Sequence, residues 1–175
     1  TLFLCAFLVL SALHFGADPA AGVSAPARFL YGGGVIVLPA LWHGPELQRL
    51  LGWVAGPASA ALVAPVLSQM AALWLAATVL ACVLQARTSR RAASEWAALA
   101  ALAVTAPPLM AFTVYFCAMH SPRHILRTLA GLPGFEVRNA VALALWPTLA
   151  VLAALAAIGW LTSDTPTPAW VMQLV

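Results

Sequence analysis

The chain has 175 residues, of which 63% are hydrophobic and 7% charged, and a formal charge of +3. Soluble domains carry about 25% charged residues, so the composition argues against one and points to a polytopic membrane protein. A surplus this small, with no basic face, also argues against nucleic acid as a partner. All eight basic residues are arginines and none is lysine, so within these residues no side chain can form a Schiff base with an aldehyde. Cys5, Cys82 and Cys117 fall in separate apolar runs without Cys-x-x-Cys spacing and read as small buried hydrophobes.

The expected architecture is all-α: a polytopic membrane helix bundle with kinked or broken helices, in one transmembrane domain over 1–175. Because Thr1 and Val175 both lie inside apolar runs, that domain is expected to continue beyond both ends. Residues 1–15 form the end of a first membrane helix, stopped by Gly16 and Pro19. His14 then sits near the boundary, with Asp18 close enough to orient its ring; a helix-end histidine bonding the last carbonyls is the bland alternative. A second apolar segment runs from about Phe29 to Trp42. Its Tyr31-Gly32-Gly33-Gly34 permits close backbone approach, local unwinding or tight packing through small residues. His43, beside Trp42, suits a ligand, a donor behind a ligand or an interfacial residue equally well. Glu46 to Trp53 reads as a short amphipathic helix.

Ser59 to Ala86 is a long apolar helix, interrupted or bent at Pro65. Its exit, Arg87-Thr88-Ser89-Arg90-Arg91, should face the cytoplasm by the positive-inside tendency. Ala92 to Ala106 is helical and meets Pro107-Pro108, after which Leu109 to Leu129 continues. A straight helix over the whole stretch would run about 55 Å against a hydrocarbon core of about 30 Å, so the double proline must bend or divide it. Gly131 to Gly134 form a turn, Phe135 to Asn139 a connector, and Val141 to Leu161 a further span kinked at Pro147. Ser163 to Pro168 then form a loop before a span that begins at Trp170.

The most informative stretch is Tyr115-Phe116-Cys117-Ala118-Met119-His120-Ser121-Pro122-Arg123-His124. Two imidazoles four residues apart share one helical face, and in an apolar chain ionisable residues at membrane depth are by default a site hypothesis. Two neutral imidazoles can share a metal, and all-nitrogen donors suit iron, zinc or copper. Pro122 cannot donate to the carbonyl of Ala118 and should kink the helix. A constraint follows: four simple spans ending near 15, 43, 86 and 120 would leave His14 and His120 at opposite membrane faces. A shared site therefore requires a non-spanning segment, for which Phe29 to Trp42 is short enough, or a real break at Pro107-Pro108.

Ser11-Ala12-Leu13-His14-Phe15-Gly16 with Asp18, then Pro39 to His43, then Tyr115-Phe116 followed by His120-Ser121-Pro122-Arg123-His124, resembles the Brp/Blh family of membrane β-carotene 15,15′-dioxygenases. The resemblance covers most of the chain from Ser11 to about Pro147, and the Tyr-Phe-x-x-x-His-Ser-x-x-His block is its most specific part. It implies an Fe(2+) enzyme that uses O2 to split β-carotene at its central double bond into two retinal molecules. It further implies a multi-pass protein of the cell (inner) membrane, lipid bilayer around it, and a functional link to microbial rhodopsin through retinal supply. Carried over by position, the iron-binding and catalytic histidines are His14, His120 and His124. A further family ligand lies upstream of the motif matched by His14, and His43 matches a histidine that is not a ligand. Side chains such as Phe15, Tyr31, Phe112, Tyr115, Phe116 and Trp146 are candidates for a substrate groove, and ordinary helix packing accounts for each as well.

Two other readings compete. A di-iron desaturase or hydroxylase calls for about twice as many ligands as the four histidines here. A metal or proton transporter should carry acids within its spans, whereas all five acids lie at or near span ends. The missing lysine disfavours a retinal-binding photoreceptor.

Overall fold

The computed structural model describes residues 1–19 and 23–131 and, within 141–157, positions 141, 145, 146, 149, 150, 153, 154 and 157. Among the described residues the protein is all-α, in agreement with the expected class. The elements are α1 (Leu2–Phe15), α2 (Ala25–Val37), α3 (Ala40–Ala55), α4 (Pro57–Ala86), α5 (Arg90–Thr105), α6 (Pro108–Tyr115), a π-turn (Phe116–His120) and α7 (Ser121–Ala130). They fall into two compact units, Thr1–Ile125 and Leu126–Val175. In the second, the described positions from Val141 to Ala157 are helical. The expected connector at 135–139, the kink at Pro147, the loop at 163–168 and the span from Trp170 lie outside the described residues.

Several breaks have local causes. Gly56 takes φ +84°, a left-handed backbone open to glycine at no steric cost, and Pro57 follows at the first position of α4, so α3 reverses into α4 at once. Ser89 caps α5 by accepting a hydrogen bond from the Ala92 N–H at 3.2 Å. Pro107 and Pro108 end α5 and restart the chain as α6, so the double proline divides the helix as expected. Other expectations are corrected. Pro65 does not interrupt α4, which runs unbroken over 30 residues. The segment expected at Phe29 to Trp42 ends at Val37. The helix expected over Glu46 to Trp53 is present and runs on to Ala55, with a short helical turn from Ala40 joined to it across a non-helical His43 (φ −119°, ψ 32°) and Pro45 two residues on.

The glycine triplet serves close packing. A Cβ on Gly32 would overlap the Ala12 carbonyl and the Gly16 amide of α1, and one on Gly33 would overlap the Trp74 ring. The backbones of α1 and α2 thus touch where side chains would hold them apart. Trp74 also donates its indole N–H to the Leu30 carbonyl at 3.0 Å, and Arg28 donates to the Gly16 carbonyl at 2.9 Å. These contacts tie α2 to α4 and to the end of α1. One buried cluster, around Val37, Leu47, Leu51, Val63 and Leu67, joins α2, α3 and α4. A second, of Phe15, Tyr31, Val35, Trp96, Leu99 and Tyr115, joins α1, α2, α5 and α6 directly beneath the histidines.

Candidate metal centre

The first histidine comes from the end of α1. After Phe15 the chain tightens, with the Ala17 and Asp18 amides donating to the carbonyls of His14 and Phe15 at 3.1 Å each. This turn leaves His14 exposed, Phe15 buried and Asp18 folded inward at 4% exposure. The other two come from the α6–α7 segment, where Pro122 has no N–H to give. The irregularity expected at Pro122 falls one turn earlier, as the π-turn in which the Ser121 amide donates to the Phe116 carbonyl.

That turn has a consequence for the site. At 100° per residue, Tyr115 and His120 would stand about 140° apart around an α-helix. A turn closed i→i+5 brings them to nearly one face, and their rings stack at 6.1 Å between centres. Both meet Asp18. The Tyr115 hydroxyl donates to Oδ2 of Asp18, and His120 Nδ1 lies 3.0 and 3.1 Å from the two carboxylate oxygens. A carboxylate at that distance favours the proton on Nδ1 and leaves the Nε2 lone pair on the side of the ring away from Asp18, an arrangement that metal-ligating histidines use. The sequence placed Asp18 behind His14; the structure puts it behind His120 instead, because the turn after Phe15 sends the carboxylate inward across to α6.

His14 and His120, 106 positions apart in the chain, stand with ring centres 5.0 Å apart. The required irregularity is therefore present, and in both forms: a short α2 followed by the break at His43, and the division at Pro107-Pro108. His120 and His124 stack at 6.3 Å, on one face as their spacing predicts. Phe15 lies edge-on to both His14 (5.6 Å) and His120 (5.1 Å) and forms the floor between them.

Among the described residues no three His, Cys, Asp or Glu side chains stand in position to hold one ion. The His14–His120 spacing is within reach of one. A divalent ion sits about 2.1 Å from a ligating imidazole nitrogen, hence about 3.2 Å from the ring centre, so two rings on one ion lie at most about 6.4 Å apart. The 5.0 Å His14–His120 pair falls within that distance, whereas His120 and His124, at 6.3 Å, stack with nearly parallel planes and do not aim their nitrogens at one point. His14 and His124 are both exposed, while buried His120 is held by Asp18.

Two further groups support the histidines. Arg123, between His120 and His124, pairs with Glu95 of α5 at 2.8 Å, clamping the start of α7 onto α5. Its guanidinium also lies beside the buried Tyr31 hydroxyl. Sequence reasoning gave Glu95 no role and treated Tyr115 only as a groove residue. For Tyr115 the signal was its five-residue separation from His120, which becomes meaningful only once a π-turn is known. His43 is half-buried, and its Nε2 has no hydrogen-bond partner among the described residues. Of the groove candidates, Phe15 and Phe112 line a cleft, Tyr31 and Tyr115 are core, and Phe116 packs on His120 at 5.3 Å. Trp146 belongs to the second unit.

No curated protein and no solved structure matches the chain. A family model described as beta-carotene 15,15′-dioxygenase matches residues 1–174. With a match over nearly its whole length, the chain belongs to the beta-carotene 15,15′-dioxygenase family.

Proposed function

We propose that this protein is a multi-pass enzyme of the cell membrane that holds Fe(2+) through His14, His120 and His124 and cleaves β-carotene with O2 at the central 15,15′ double bond, giving two molecules of all-trans-retinal. The observation that carries the proposal is His120, buried, backed by Asp18 and Tyr115, and 5.0 Å from His14. Ferrous iron held there would supply the one-electron chemistry that lets dioxygen react with a closed-shell hydrocarbon. The protein's own residues supply the rest. Asp18 fixes the His120 ring and its proton on Nδ1, and the Arg123–Glu95 pair fixes the helix that presents His120 and His124. Phe15, Phe112 and Phe116 make the surroundings apolar, which suits a hydrocarbon substrate. The overall reaction balances without another reductant: one carbon–carbon double bond and O2 become two carbonyls. No general acid or base is required.

A bilayer setting suits a bilayer-soluble substrate. Among the described residues one helix, Pro57–Ala86, is long and apolar enough to cross a membrane, and only 17% of its apolar window is buried by the rest of the protein. Lacking lysine, these residues cannot retain the product as a Schiff base, which fits release of retinal to a rhodopsin. The test is expression in cells that accumulate β-carotene. Loss of the orange pigment with appearance of retinal is expected, and His120→Ala should abolish both cleavage and bound iron. Pigment that persists beside abundant protein would overturn the proposal.

A further inference from the structure

A cleft of about 400 Å³ lies between α1, α2, α3 and α6. Its size is that of a site for a compact organic ligand. On α1 it is lined by Phe7, Ser11 and Phe15, on α3 by residues including Leu50 and Val54, and on α6 by Phe112. Phe7, Ser11 and Phe15 recur every four residues, so they form one stripe about 12 Å long on α1. One end of the stripe is fixed chemically: Phe15 lies against His14 and His120, and Phe112 packs on Phe15 at 5.9 Å. The cleft therefore ends at the Phe15 ring, whose other side meets the histidines, and runs away from it along α1. The side chains that line it are aliphatic or aromatic, with Ser11 the one hydroxyl.

A symmetric polyene cut at its centre must send its two arms in different directions from the reacting bond. A cleft that ends at Phe15, one ring away from the histidines, and is apolar along its length has the form needed for one such arm. We propose that it seats one arm of the carotenoid, with Phe15 and Phe112 aligning the polyene beside His120 and with the ring end held between α1 and α3 near Leu50 and Val54. This rests on the functional reading above and adds to it the residues that measure one half of the substrate. Enlarging a side chain at the far end should then shorten the arm that fits without disturbing the histidines.

The experiment uses the full chain in membranes, with Val54→Trp and the milder Leu50→Phe, and Leu73→Trp on the exposed face of α4 as a control. Two substrates are compared: β-carotene and a carotenoid shortened on one side. Both cleft variants should retain iron, lose about tenfold or more of the rate on β-carotene, and keep most of the rate on the shortened substrate, which can place its short arm in the filled cleft. The control should cleave both as the parent does. Cleft variants that cleave β-carotene at the parental rate, or that lose both substrates alike, overturn the assignment. A parent protein that cleaves neither substrate overturns the functional reading, and the cleft's occupant with it.

Discussion

Asp18 is the residue on which the geometry of the site turns, because from the turn after α1 it bonds both Tyr115 and His120. A carboxylate behind a ligating imidazole fixes the ring and raises its basicity, and losing such a partner typically costs about 10–100-fold in metal affinity or activity. Asp18→Asn keeps the size but removes the charge. Iron retained after dialysis against a chelator, and cleavage rate, should both fall within that range. Tyr115→Phe should have the smaller effect, since the carboxylate keeps its bond to His120. Unchanged iron retention in Asp18→Asn would mean that the carboxylate serves packing alone. His43→Ala offers a contrast: its ring sits at the break in α3, apart from the His14–His120 pair, so iron content should match the parent's. Loss of iron in His43→Ala would show that His43 had been wrongly left out of the ligand set.

At the scale of elements, the π-turn sets the register of the site. Deleting Ala118 should convert Phe116–His120 to a continuous α-helix in which Tyr115 and His120 stand four residues and about 40° apart, still on one face, so iron binding should survive. Inserting one alanine beside Ala118 should instead turn His120 about 100° away from Tyr115 and abolish iron binding, with helical content by circular dichroism nearly unchanged. Iron binding that survives the insertion would sink the role given to the turn. The crossing of α1 on α2 makes a second demand, because a methyl group at Gly32 meets backbone on both sides. Gly32→Ala should cost about 1–3 kcal/mol by overpacking, read as a lower thermal midpoint in detergent. These two elements also mark the limit of what the letters disclose. Helix positions and the division at Pro107-Pro108 were legible because apolar runs and prolines act locally. The four histidines were legible as candidates because imidazoles stand out in an apolar chain, whereas the choice of His14, His120 and His124 over His43 came from the resemblance. The partner of Asp18 was not, since sequence proximity favours His14, four residues away, over a contact that spans 102 positions. Nor was the π-turn, because Pro122 specifies a lost hydrogen bond but not how the preceding turn absorbs it.

For the whole molecule the remaining question is what surrounds it. The exposed faces are rich in large apolar side chains, among them Leu62, Leu73 and Leu80 along α4. In water such a surface would drive association, whereas in a bilayer it needs no cover. Leu73 lies near the middle of α4 and is 76% exposed, so it should face lipid near the depth where charge is most costly. An arginine there costs about 3 kcal/mol on insertion scales, while an isoleucine costs almost nothing. The parent protein should therefore stay with membranes through alkaline carbonate extraction. Leu73→Arg should lower the membrane-inserted yield, and Leu73→Ile should leave it unchanged. Release of the parent into the carbonate supernatant, with Leu73→Arg tolerated, would remove the bilayer from the mechanism. It would then require the carotenoid to reach His14 and His120 through water, a route that a hydrocarbon substrate and an apolar cleft both oppose.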